Sequence, residues 1–142
     1  MRAVSALLAM IALAGIAASQ ASRTVWDGVY SAEQAKRGQA RYIEKCASCH
    51  GSTLEGGESA PPLAGSDFLS TWSGLSVGEL FDRTRATMPQ DNPGTLTRSA
   101  NAEILAYIFS ANQFPAGKGE LPQAAEDLKA IKIQANKSDA KE

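Results

Sequence analysis

The chain has 142 residues, and its two cysteines and single histidine fall within five positions, Cys46-Ala47-Ser48-Cys49-His50. Cys46 and Cys49 stand at i and i+3 and His50 at i+4, so one helical turn projects all three to one side. Two thiols in that arrangement can bond covalently to the vinyl groups of a haem while the imidazole reaches the iron. C-x-x-C-H is the attachment signature of c-type haem. Thiol–disulfide exchange is the competing chemistry. It wants a nucleophilic cysteine at a helix N-terminus, where the dipole lowers the thiol pKa. Here the pair follows a predicted helix and meets the unfavourable end of its dipole. A structural disulfide would leave the adjacent histidine without a role. A four-ligand Cys/His zinc site is excluded by supply, since only three such residues exist.

A haem iron held by His50 needs a second axial donor, and no second histidine is present. Of the three methionines, Met1 and Met10 lie in an apolar N-terminal segment, which leaves Met88, 38 residues beyond His50 and next to Pro89. Methionine is more often a core filler, and that reading stands beside ligation. Ligation by Met88 would raise the reduction potential relative to a bis-histidine site. It would also fill the sixth position, which favours electron transfer over haem catalysis. A haem-based sensor, in which a small molecule displaces Met88, is the other haem reading.

The elements that must position these residues are signposted by caps. Ser31-Ala32-Glu33-Gln34 reads as a capping box opening a helix from Ala32 towards Cys46. Residues 51–70 have loop composition, with Gly51, Gly56, Gly57, Pro61, Pro62 and Gly65, and a loop that long usually wraps something or carries function. Ser76-Val77-Gly78-Glu79 is a second capping box, with Leu75 and Leu80 placed for a hydrophobic staple, and its helix should run to about Thr87 before Pro89 stops it. Thr97 can cap a final helix over 98–111, with Ile104, Leu105, Ile108 and Phe109 as its apolar stripe. No segment alternates as a half-buried strand should. An all-α domain with long loops is expected. Beyond Phe114, the isolated apolar residues Leu121, Leu128, Ile131 and Ile133 should pin a strap or short helix onto it, and 134–142 is polar enough to be disordered.

Composition sets the compartment and class. Met1-Arg2 followed by an apolar run to Ala18, then Ser19-Gln20-Ala21, reads as a secretory signal peptide cleaved after Ala21. The alternative is an uncleaved anchor, the only case that calls for a membrane. Removing Arg2 from the 14 basic residues leaves 13 against 15 acidic ones. That balance lacks the concentrated basic face of a nucleic-acid binder. The expected organisation is a signal peptide over 1–21, one domain over 22–115, and a strap with tail over 116–142.

Taken together, these residues resemble the class I cytochromes c. The resemblance is closest to small bacterial cytochrome c domains associated with quinoprotein (PQQ) dehydrogenases, and it runs from about Ser31 to Pro115. It rests on Cys46-Ala-Ser-Cys-His50-Gly51, Leu54-Glu-Gly56, Pro61-Pro-Leu63-Ala-Gly65, Phe68, Trp72 and Thr87-Met88-Pro89. The resemblance implies three helices and long loops around one covalent haem c. It implies thioether bonds at Cys46 and Cys49, axial ligation by His50 and Met88, and a pocket including Pro61, Leu63, Phe68 and Trp72. By the same resemblance the Pro61 carbonyl would accept a hydrogen bond from the His50 imidazole, and Trp72 would pack at the haem edge. Gly38, Tyr42 and Tyr107 would form the crossing of first and last helices.

The implied role is a periplasmic carrier of single electrons and not an enzyme, though it could serve as the cytochrome subunit of a dehydrogenase. A quinoprotein dehydrogenase would be the donor and another cytochrome or a terminal oxidase the acceptor. One departure is plain: the loops expected at the haem edge carry Glu55, Glu58, Asp67 and Asp91 where mitochondrial-type relatives present lysines. Weakly charged or largely apolar docking follows from that.

Overall fold

Ser31, Ser76 and Thr97 each accept a backbone hydrogen bond at a helix N-terminus, and these three caps open the three main helices. The computed structural model describes residues 23–137, so the expected signal peptide lies outside the described residues. The first main helix, α1, spans Ala32–Lys45 and leads through Cys46 into a short turn of helix, α2, at Ala47–His50. Then come α3 (Ser66–Trp72), α4 (Val77–Thr87), α5 (Arg98–Ala111) and a short α6 (Ala125–Lys129). The ends of the described chain add a two-residue parallel pair, β1 (Arg23–Thr24) with β2 (Ile131–Lys132), in the register Arg23 to Ile131. A 3-10 turn at Val25–Asp27 follows β1.

The close crossing of α1 and α5 organises the molecule. A Cβ built on Gly38 would collide with the Glu103 carbonyl and lie 3.1 Å from Tyr107 Cβ, so only glycine allows this approach. The Tyr42 and Tyr107 rings pack beside it at 5.3 Å and 52°. On the outer side of the crossing the Glu103 carboxylate, only 8% exposed, takes Arg37 at 2.9 Å and also pairs with Arg41. Burial works against the Glu103 charge, but the hydrogen bonds and positive charges of the two arginines outweigh it and hold the carboxyl below its ordinary value.

Three expectations change. The Ser31 side chain caps Gln34 N–H, but the Gln34 side chain does not complete the box. It reaches 87 positions along the chain and clamps Leu121, accepting from its N–H at 2.6 Å and donating to its carbonyl at 3.2 Å. The loop after His50 is shorter than its composition suggests, because α3 begins at Ser66. The strap ends as a β-strand, whereas no strand was expected. Its isolated apolar residues do pin it: Leu121, Leu128, Ile131 and Ile133 are all buried in the main core cluster. Past them, Gln134 O accepts from Trp26 Nε1 and Ala135 N–H donates to Ser73 Oγ. Residues 138–142 lie outside the described residues.

Two outcomes test this packing. Gly38→Ala should lower the stability of the holoprotein by about 1–3 kcal/mol, the usual cost of overpacking, read as a reduced Tm. Because the Glu103 carboxyl sits below its unfolded value of about 4.3, its contribution is present above that pH and lost on acidification. The stability gap between wild type and Glu103→Gln should therefore be widest near neutrality and close as the pH falls below about 4.

Candidate functional site

Cys46 ends α1, with its N–H bonded to Tyr42 O at 2.8 Å, and its carbonyl accepts from Cys49 N–H (3.1 Å) and His50 N–H (2.9 Å). Those bonds wind 46–50 into the helical turn that the i, i+3, i+4 spacing requires. Both cysteines are free; Cys46 is half-buried and Cys49 exposed. Burial first, then the neighbouring Cys49, push the Cys46 thiol up to about 11. A dithiol nucleophile wants the opposite shift. Tyr42, buried in α1, donates its hydroxyl to Gly51 O at 2.7 Å and fastens the end of the turn to the helix before it.

His50 is 7% exposed, and its Nδ1 lies 2.8 Å from the Pro61 carbonyl oxygen. A carbonyl only accepts, so Nδ1 carries the proton and Nε2 is the nitrogen left for a metal. The loop that presents Pro61 folds back on the turn through Gly56 N–H to His50 O (2.8 Å) and Leu63 N–H to Leu54 O (2.9 Å). The other expected pocket residues follow this loop. Leu63 and Trp72 are half-buried against the core, and Phe68 in α3 is 2% exposed. Leu69 packs there too.

Met88 sits at the C-cap of α4 in extended conformation, half-buried, with its N–H on Thr84 O at 2.9 Å. Both flanks of its loop are tied down. Arg85 Nε donates to Leu96 O at 3.3 Å, closing the loop across its base. Within it Asn92 N–H bonds Pro89 O and Thr95 Oγ1 bonds Asn92 O. α4 is held to α5 by Asn101 Nδ2 on Phe81 O (2.9 Å), and the Arg98 guanidinium stacks 4.8 Å over the Phe81 ring. Sequence reasoning missed Asn101 and Arg85, since a polar residue on a helix gives no sign of which distant carbonyl it will meet.

Comparison with known proteins decides the family. Residues 33–108, from the first turn of α1 into the last turn of α5, match the family described as "Cytochrome C oxidase, cbb3-type, subunit III". The chain belongs to this cytochrome c family. It has the class I c-type cytochrome fold and carries covalent haem c. Among solved structures, the cytochrome is similar to a chain in the crystal structure of the sulfane dehydrogenase SoxCD from Paracoccus pantotrophus. The TM-score is 0.51 at 23% identity, covering 75% of this chain and 61% of that one, a likeness of fold. It therefore spans less than two thirds of the SoxCD chain. No curated protein matches. Among the described residues, no helix of the cytochrome is long and apolar enough to cross a membrane.

The donor set fits haem c. It offers two free thiols on one turn, an imidazole whose Nδ1 is already engaged, and a thioether at a helix end on an anchored loop. Converting either Cys46 or Cys49 to serine should leave one covalent bond to haem. The haem spectrum of the denatured protein in alkaline pyridine should then shift to longer wavelength, while the double variant loses haem on acid-acetone extraction. An unshifted spectrum in both single variants would contradict the tether.

Proposed function

We propose that this cytochrome is a periplasmic monohaem electron carrier in which Cys46 and Cys49 tether the ring, His50 and Met88 are the axial ligands, and Pro61, Leu63, Phe68 and Trp72 line the pocket. The observation that carries the reading is the buried His50 ring, donating Nδ1–H to Pro61 O at 2.8 Å beside two free thiols. Haem c, when bound, supplies a one-electron ferric–ferrous couple. The chain's own residues set the conditions around it. The Pro61 carbonyl fixes the His50 tautomer and orientation and raises the basicity of Nε2. The Met88 thioether, a soft donor, favours the reduced state relative to a second imidazole. Leu63, Phe68 and Trp72 lower the local dielectric and exclude water.

The N-terminal signal reading places the mature protein, from Ser22, in the periplasm as one domain over 22–115 with its strap over 116–142. The proposed donor is a quinoprotein dehydrogenase, whose cytochrome subunit it could be. The proposed acceptor is another cytochrome or a terminal oxidase, in keeping with the oxidase subunit that the family description names. Glu55, Glu58 and Asp91 in loops and Asp67 in the first turn of α3 are all exposed and give these segments an acidic cast. Glu55 is partly spent at home, accepting from Thr53 N–H at 2.8 Å and Thr53 Oγ1 at 2.9 Å.

Met88→Ala should abolish the sulfur-to-iron charge-transfer band of the oxidised protein, lower its reduction potential, and open the reduced protein to carbon monoxide. A band that survives the substitution would remove Met88 from the iron. Rapid carbon monoxide binding by the wild type would favour the sensor reading.

A further inference from the structure

We propose that Asn112 is a positioning residue for the haem-iron histidine, acting through the loop that presents Pro61 to His50. The proposal deepens the reading of His50 as a ligand and rests on it.

Asn112 is the C-cap of α5, four residues beyond the segment that matches the family. Its backbone N–H completes the helix on Ile108 O, and its side-chain amide then bridges to the Pro61 loop. Nδ2 donates to Leu63 O at 3.0 Å and to Ile108 O at 2.9 Å, and Oδ1 accepts from Gly65 N–H at 3.0 Å. One planar amide thus holds a carbonyl and an N–H two residues apart on the loop, as well as the helix end.

Upstream, Gly57 N–H bonds Ala60 O at 2.9 Å, but the stretch from Pro61 to Gly65 has fewer donors with which to hold itself. Pro61 and Pro62 carry no N–H, and Gly65, at φ 84°, leaves the loop in a conformation that glycine tolerates best. Leu63 is therefore the pivot. Its N–H is fixed on Leu54 O from the haem-attachment side and its carbonyl on Asn112 from the helix side. The Pro61 carbonyl, two residues upstream, is aimed at His50 Nδ1 by that double attachment. Losing the amide frees one side of the pivot, and the hydrogen bond that orients the imidazole should open more often.

The test uses holoprotein and reads the His50 Nδ1 proton by NMR together with the reduction potential. In Asn112→Ala the proton should exchange with solvent at least tenfold faster, and the potential should rise as the ligand becomes less basic. Asn112→Asp keeps the acceptor for Gly65 N–H and loses the donor to Leu63 O, so its exchange rate should fall between the two. Leu128→Ala, which loosens the strap without touching this loop, should leave both readouts in place despite a lower Tm. The proposal is overturned if Asn112→Ala exchanges at the wild-type rate, or if Leu128→Ala speeds exchange equally. If wild-type holoprotein shows no haem-shifted His50 Nδ1 proton at all, the ligand reading fails first and the clamp with it.

Discussion

The approach of α1 to α5 at Gly38 is the constraint on which the rest depends. Because a hydrogen stands where any other residue has a Cβ, the Glu103 carbonyl and Tyr107 reach the backbone of α1. The two helices then leave the crossing with their useful ends defined. α1 runs directly into the turn carrying Cys46, Cys49 and His50, with Tyr42 hydrogen-bonded across to Gly51. α5 runs to Asn112, which holds the loop bearing Pro61. The His50–Pro61 hydrogen bond is thus made between groups set by the two ends of one helix pair. Ionic contacts over the crossing add to this modestly, since Arg37 and Arg41 are both about half exposed.

The chain outside the helix pair braces the same core through other contacts. The strap buries Leu121, Leu128, Ile131 and Ile133 in the core, and Gln34 grips Leu121 through both atoms of its amide. Near its end, Ile133 exchanges backbone hydrogen bonds with the α3–α4 connection, accepting from Gly74 and donating to Leu75. That connection lies between Trp72 and the helix leading to Met88. The Pro61 loop and the Met88 segment are each tied to backbone at several points, which suits a site that must change charge with little rearrangement.

The three main helices and the attachment turn were legible in the sequence because their signals are local. Ser76 with Glu79 and Thr97 before an apolar stripe act within one turn, as does the C-x-x-C-H spacing. α3 was hidden because its N-cap, Gly65, offers no side chain to signal a start, and because prolines and glycines dominate what precedes it. Gln34 misled for a physical reason. A glutamine at N3 can reach back to the cap, but here a buried backbone pair 87 residues away is the better partner. Asn112 gave no signal at all. Asparagine beyond a helix end is ordinary, and what sets this one apart is a loop carbonyl and a loop N–H, of Leu63 and Gly65, that only the fold brings near. The same holds for β1 and β2, two-residue strands at opposite ends of the described chain that carry no alternation to read.

A buried imidazole with its Nδ1 committed, two thiols on one turn and a single thioether on an anchored loop together describe a site for one electron at a time. The direct measurement is a spectroelectrochemical titration of the holoprotein. A single reversible wave with one-electron Nernst slope, followed entirely in the haem absorbance, is the expected result. A two-electron wave with no haem absorbance, as a Cys46–Cys49 thiol–disulfide couple would give, would contradict it.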